Sequence, residues 1–130
     1  MKQITVIAED RSGLAAEITA ALAAANVNID TFTAEAIGSA MVGILTVDNY
    51  DDALRALAAA GFQALSEDAI VVQLDDKPGE LARIMRRFKD ANINLRSIRF
   101  IRRTGNTALV ALGTERTKEA IALVQDVLVS

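Results

Sequence analysis

Two short stretches hold the residue types that can do chemistry, and they are copies of one pattern. The first reads Asp10-Arg11-Ser12-Gly13-Leu14 and the second Asp76-Lys77-Pro78-Gly79-Glu80-Leu81. Each lies between an apolar, β-branched run and an amphipathic run, the pattern of a strand–loop–helix junction. A helix N-terminus presents unpaired N–H groups and partial positive charge, which favour an anion. Glycine in the first turn lets a ligand come close to the backbone. The groove beside Gly13 or Gly79 therefore suits a carboxylate or a phosphate. Each stretch is followed by Ala-Asn-x-Asn, at Ala25 to Asn28 and at Ala91 to Asn94. The side-chain oxygens of Asp10, Asp76, Asn28 and Asn94 suit an ammonium. Together the two sets match the two charged groups of a free amino acid. A plainer reading stands beside this one: Asp as a turn former and helix-dipole partner, and Asn-x-Asn as a helix C-cap.

Other chemistry lacks its parts. The 130 residues include no Cys and no His. That removes disulfides and thiolate metal sites, the commonest metal ligand and the commonest general base. No loop is dense enough in Asp and Glu to suggest a carboxylate metal site, and no carboxylate pair can be assigned to a shared cleft. Neither an enzyme nor a cofactor is expected.

The elements that must position the two loops follow from a duplication. A shift of 66 residues aligns Asp10 with Asp76, Gly13 with Gly79, Ile18 with Ile84, Asn26 with Asn92 and Asn28 with Asn94 without a gap. Two copies are too few for a solenoid, so a duplicated small domain is expected, as residues 1–66 and 67–130. In the first copy, strands are expected over Gln3–Ala8, Asn28–Thr33, Met41–Val47 and Phe62–Leu65. Helices are expected from a Ser12 N-cap to Asn26 and over Tyr50–Ala60, with Gly61 as the stop. The second copy predicts strands at Ala69–Leu74, Asn94–Arg102 and Thr107–Leu112. Its helices begin with Pro78 at a first helical position and run from Thr117 to about Val127. The chain ends at Ser130, two residues short of a full repeat, so the last strand is expected to be truncated and its sheet edge left open. Such an edge invites association. The order β-α-β-β-α-β gives an α+β fold: two tandem ferredoxin-like units, each an antiparallel sheet with its helices on one face.

The pattern strand–Asp-x-[Ser/Pro]-Gly–helix–Asn-[Val/Ile]-Asn-[Ile/Leu]–strand, present twice, resembles the ACT domain, a small amino-acid-sensing regulatory module. The resemblance covers essentially the whole chain. It implies sheets joined side by side between ACT units. It also implies an amino-acid effector held between the loop of one unit and strand two of its neighbour. Carried over by position, the ligand-binding residues are Asp10, Ser12, Gly13, Leu14, Asn28 and Ile29, and then Asp76, Pro78, Gly79, Glu80, Asn94 and Leu95. Many family members have Asn where this chain has Asp10 and Asp76. An acid there repels a carboxylate unless it faces the ammonium, and Leu14 against Glu80 makes the two sites unlike.

Charge is uneven: residues 1–65 carry −5 and residues 66–130 carry +2. The basic excess between Arg83 and Arg103 raises nucleic acid as a partner. However, the central strands carry no aromatic residue for base stacking, and the net charge is −3. A solvated helix face, with ion pairs to the acidic first unit, is the expected role of these cations. No apolar run approaches the roughly 20 residues of a membrane helix, and Met1-Lys2-Gln3-Ile4 opens no signal peptide, so a cytoplasmic protein without a membrane partner is expected. The functional expectation is a regulatory protein that binds a small amino acid and forms a homo-oligomer, a dimer, through sheet edges, acting on an enzyme or regulator. Two alternatives are a regulatory subunit of a biosynthetic enzyme and a purely structural oligomerisation module. The first arises because Asn28 to Thr33 is similar to strand two of the acetolactate synthase small subunit.

Overall fold

The computed structural model describes residues 2–66 and 69–129. The expected domain boundary, between 66 and 67, abuts residues 67 and 68, outside the described residues. The chain divides into two compact units, Met1–Glu67 and Asp68–Ser130. The first runs β1 (Gln3–Glu9), α1 (Leu14–Ala24), β2 (Ile29–Ile37), β3 (Ala40–Val47), α2 (Tyr50–Ala59) and β4 (Gln63–Leu65). The second runs β5 (Ala69–Asp75), α3 (Glu80–Asp90), β6 (Ser97–Thr104), β7 (Thr107–Gly113) and α4 (Thr117–Leu123). The sheets are antiparallel, in the orders β2-β3-β1-β4 and β5-β7-β6. This is the tandem ferredoxin-like α+β architecture.

Helical spacing decides which face each helix buries. Leu14, Ile18 and Leu22 recur every four residues along α1 and pack with Ala53 and Leu57 of α2 onto Ile4, Val6, Met41 and Leu45. In the second unit Ile84 and Phe88 of α3 join Ala120 and Val124 over Ile70, Val72 and Val110, with Leu81 and Met85 only partly buried against them. Three helices end alike. Asn26 (φ 60°), Gly61 (φ 88°) and Asn92 (φ 56°) take the left-handed conformation. The following residues Val27, Phe62 and Ile93 then donate back to Leu22, Leu57 and Phe88, each at 2.9 Å. That is the Schellman closure, and it explains why Asn or Gly occupies these positions.

Several boundaries differ from the sequence expectation. Ser12 does not cap α1, and Pro78 is not in α3. The N-cap positions are Gly13 (φ 83°) and Gly79 (φ 91°), with no side-chain cap bond at either. A left-handed glycine N-cap starts α1 at Leu14, one residue later than a Ser12 cap would, and α3 at Glu80, two residues later than Pro78 at a first helical position would. Residues 94–96 lie before β6, and the Asn94 carbonyl accepts from the Thr114 hydroxyl at 2.8 Å. Helix α4 stops at Leu123 rather than near Val127, and Arg87 donates to the Leu123 carbonyl at 3.0 Å and to both Asp126 carboxylate oxygens at 2.6 and 2.9 Å. The early stop lets the following chain reach β5. Leu128 bridges Val72, the Gln73 N–H donates to Val127 O and the Val129 N–H donates to Val71 O, both at 2.8 Å. The truncated last strand thus still closes part of the edge that was expected to be open.

Candidate functional site

Each loop is fixed at the end of its sheet by one backbone bond to the neighbouring hairpin. The Asp10 N–H donates to Ser39 O at 2.9 Å, and the Asp76 N–H donates to Asn106 O at 2.7 Å. Strand β1 therefore delivers Asp10 beside the β2–β3 turn, and β5 delivers Asp76 beside the β6–β7 turn. In α1 the first i→i−4 bond runs from the Glu17 N–H to Gly13 O at 3.0 Å; in α3 it runs from the Arg83 N–H to Gly79 O at 2.9 Å. The N–H groups of Ala15 and Ala16, and of Leu81 and Ala82, come before those bonds and are the orphan donors of a helix start. Open space surrounds both glycines: a Cβ added at Gly13 or Gly79 would meet no atom within 4 Å.

The expected site residues fall into two groups. Asp10, Ser12 and Gly13, and Asp76, Pro78 and Gly79, are exposed at the loops. Leu14 is at the loop but is buried, with its side chain in the core and its N–H donating to Arg11 O at 3.3 Å. Glu80 pairs with Arg83 at 3.0 Å. Asn28 and Ile29, and Asn94 and Leu95, are elsewhere. Strand β2 is parallel in direction to β1, because both are antiparallel to β3, so its start lies at the opposite end of the unit from the loop. An eleven-residue helix separates the two ends, about 16 Å at 1.5 Å per residue. At that far end the Asn28 N–H donates to the Asp48 carboxylate at 2.9 Å, while Ile29 and Leu95 pack against their cores. No unit brings its own loop and its own Asn together.

Sequence reasoning missed two residues at the second loop. Arg103 donates to the Asp76 carboxylate at 2.6 Å, and its guanidinium lies 4.2 Å from the centre of the Phe100 ring. The signal was available: the turn at Thr104 to Asn106 returns β6 to the loop end of the sheet. Four of the basic side chains have partners within the second unit, as Arg83–Glu80, Arg87–Asp126, Arg96–Glu115 and Arg103–Asp76. An open cleft of about 390 Å³, lined by Arg96, Thr114, Glu115 and Thr117, lies at the Asn94 end of the second unit, away from its loop. Among the described residues no group of three or more acidic side chains is placed to hold a metal ion, and no helix is long and apolar enough to cross a membrane.

Residues 2–62 match the family model of the ACT domain. The first unit is an ACT domain. The second repeats its fold from β5 to the Leu128 bridge. Among solved structures, the chain is similar to protein BT0572 from Bacteroides thetaiotaomicron, at 21% identity and a TM-score of 0.50, covering 98% of this chain and 90% of that one. It is also similar to the ligand-free regulatory subunit of aspartate kinase from Thermus thermophilus, at 23% identity, a TM-score of 0.46 and coverage of 97% and 91%. The acetolactate synthase small subunit from Thermotoga maritima is a more distant match, at 10% identity, a TM-score of 0.43 and coverage of 99% and 89%. No curated protein matches the sequence. The likeness to BT0572 is one of fold, and fold alone does not assign a ligand. The ACT match covers the Gly13 loop, where orphan backbone donors and an exposed carboxylate occur together.

Proposed function

We propose that this chain is a non-catalytic regulatory protein whose ACT fold binds a small amino acid as an effector. The observation that carries this reading is the Gly13 loop of the ACT unit. Orphan N–H groups of Ala15 and Ala16 suit the carboxylate of a zwitterion, and the exposed Asp10 carboxylate suits its ammonium. The absence of His and Cys from the sequence agrees with a protein that senses rather than reacts. Regulation requires that the effector bind one arrangement of the protein better than another.

Asn28, Ile29, Asn94 and Leu95 can complete a site only on another ACT unit, and a second copy of the chain is the partner we infer. Its attachment would be at the free sheet edges. Edge strand β2 carries Asp30 and Glu35 and no base, while edge strand β6 carries Arg99, Arg102 and Arg103 and no acid. An acidic edge beside a basic edge is favourable, whereas two β6 edges would oppose Arg to Arg. The test is a thermal-shift screen of the protein against the twenty protein amino acids. A bound effector at a hundred times its Kd adds about 2.7 kcal/mol, well within reach of the assay. Stabilisation by one or a few of them is expected, and stabilisation by none refutes effector sensing.

A further inference from the structure

The two loops have the same sequence plan but not the same electrostatics. In the second unit the Asp76 carboxylate already has a cationic partner, Arg103 at 2.6 Å. The same guanidinium stacks on Phe100, 4.2 Å from the ring centre. Phe100 is 42% exposed on an edge strand, so the stack lies open on the surface rather than in the core. Among the described residues of the first unit no equivalent is present. The ladder fixes the comparison: Arg103 is opposite Ala108 and Phe100 opposite Val110, and these in turn face Leu74 and Val72. The matching positions in the first unit, reached through Ala8 with Met41 and Val6 with Gly43, are Ala36 and Ala34. Neither offers a charge or a ring. Arg11, next to Asp10 in sequence, is paired with Glu17. Among the described residues no ion pair or side-chain hydrogen bond engages the Asp10 carboxylate.

We propose that Arg103 is a specificity-determining residue: by occupying Asp76 it closes the second loop to α-amino acids, so that each chain binds one α-amino acid, at Asp10. This rests on the effector reading given above. An ammonium arriving at Asp76 must displace a charge-assisted hydrogen bond and a cation–π contact. At Asp10 it displaces only water. The duplicated chain thus has one loop that reads the ammonium and one that is latched against it, and the latch is made by two side chains that the first unit lacks.

The experiment begins with the twenty protein amino acids, each tested singly by thermal shift on the wild-type protein and on Arg103→Leu. Any amino acid that stabilises is titrated by calorimetry, alongside the 2-oxo acid with the same side chain. One site per chain is expected in the wild-type protein and two in Arg103→Leu, with Arg103→Lys, which keeps the charge, remaining at one. Asp10→Asn should weaken wild-type binding by about tenfold or more, the loss of a hydrogen bond between charged groups. The 2-oxo acid, which lacks the ammonium, should bind more weakly than its amino acid in the wild-type protein. Two sites in the wild-type protein, one site in Arg103→Leu, or full affinity in Asp10→Asn overturns this inference and leaves effector sensing standing. Failure of every amino acid to stabilise either protein overturns both.

Discussion

Replacing Gly13 by alanine isolates the backbone conformation on which the loop depends. Its φ is 83°, and the added Cβ would meet no atom within 4 Å, so neither a clash nor a filled void contributes. What remains is the cost of placing an L-residue in the left-handed region, about 1–2 kcal/mol. Gly79, at φ 91° with the same open surroundings, should respond by the same amount. Two comparison variants sharpen the reading. Asn26→Gly, at φ 60°, relieves mild strain and should stay within about 0.5 kcal/mol of wild type. Gly43→Ala has a different origin, since its Cβ would lie 3.1 Å from a ring carbon of Phe32, and its cost is steric. The assay is urea unfolding at equilibrium, with unchanged m-values required for each variant. Gly13→Ala at wild-type stability would refute the left-handed cap. The orphan N–H groups of Ala15 and Ala16 would then have no fixed direction.

Three further outcomes are expected. The hydrogen bonds from Arg87 hold the Asp126 carboxyl at about 2, below its usual 3.8. A depressed carboxylate pKa contributes stability that is present above the unfolded value and lost as pH falls through the folded one. The unfolding midpoint should therefore drop more steeply between about pH 4 and 2 in the wild-type protein than in Asp126→Asn; equal slopes would remove the pair from the acid response. Asn49 caps α2 by accepting from the Asp52 N–H at 3.2 Å, and Asn49→Ala should cost about 1 kcal/mol in the same urea assay. Reversing Arg99 and Arg102 to Glu should weaken self-association by about tenfold or more in sedimentation experiments at low salt, if copies join an acidic β2 edge to a basic β6 edge; association that tightens would point to another surface.

Much of the fold was legible because local signals agreed with one another. The four-residue spacing of Leu14, Ile18 and Leu22 sets the buried face of α1, and the 66-residue offset carries the same plan to Ile84 and Phe88. Asn26, Gly61 and Asn92 mark helix ends because the left-handed C-terminal position selects Asn and Gly. Helix starts were read less well, because Ser12 and Pro78 are both good starters by type. A glycine in a left-handed cap overrides them through backbone geometry that residue type does not display. The ends of α4 and β6 depended on long-range bonds, Arg87 to Leu123 and Thr114 to Asn94, which no local pattern announces. At the candidate site the loop residues were legible as a group. Their separation from Asn28 and Asn94 within one unit follows from the β-α-β order, in which a whole helix lies between the loop and strand two. The turn at Thr104 to Asn106 showed that β6 returns to the loop end, but not which of its residues meets Asp76, because 27 residues separate Asp76 from Arg103 and the register of β6 on β7 includes an irregularity between Phe100 and Arg102.

The most direct measurement is the ¹⁵N–¹H amide spectrum of the labelled protein, recorded while an amino acid that passes the thermal-shift screen is added. Binding at the ACT loop predicts the largest shifts at Gly13, Ala15 and Ala16, with the amides of Leu81 and Ala82 little moved. Shifts centred on the Arg96–Glu115 cleft, or absent from the Gly13 loop, would contradict it.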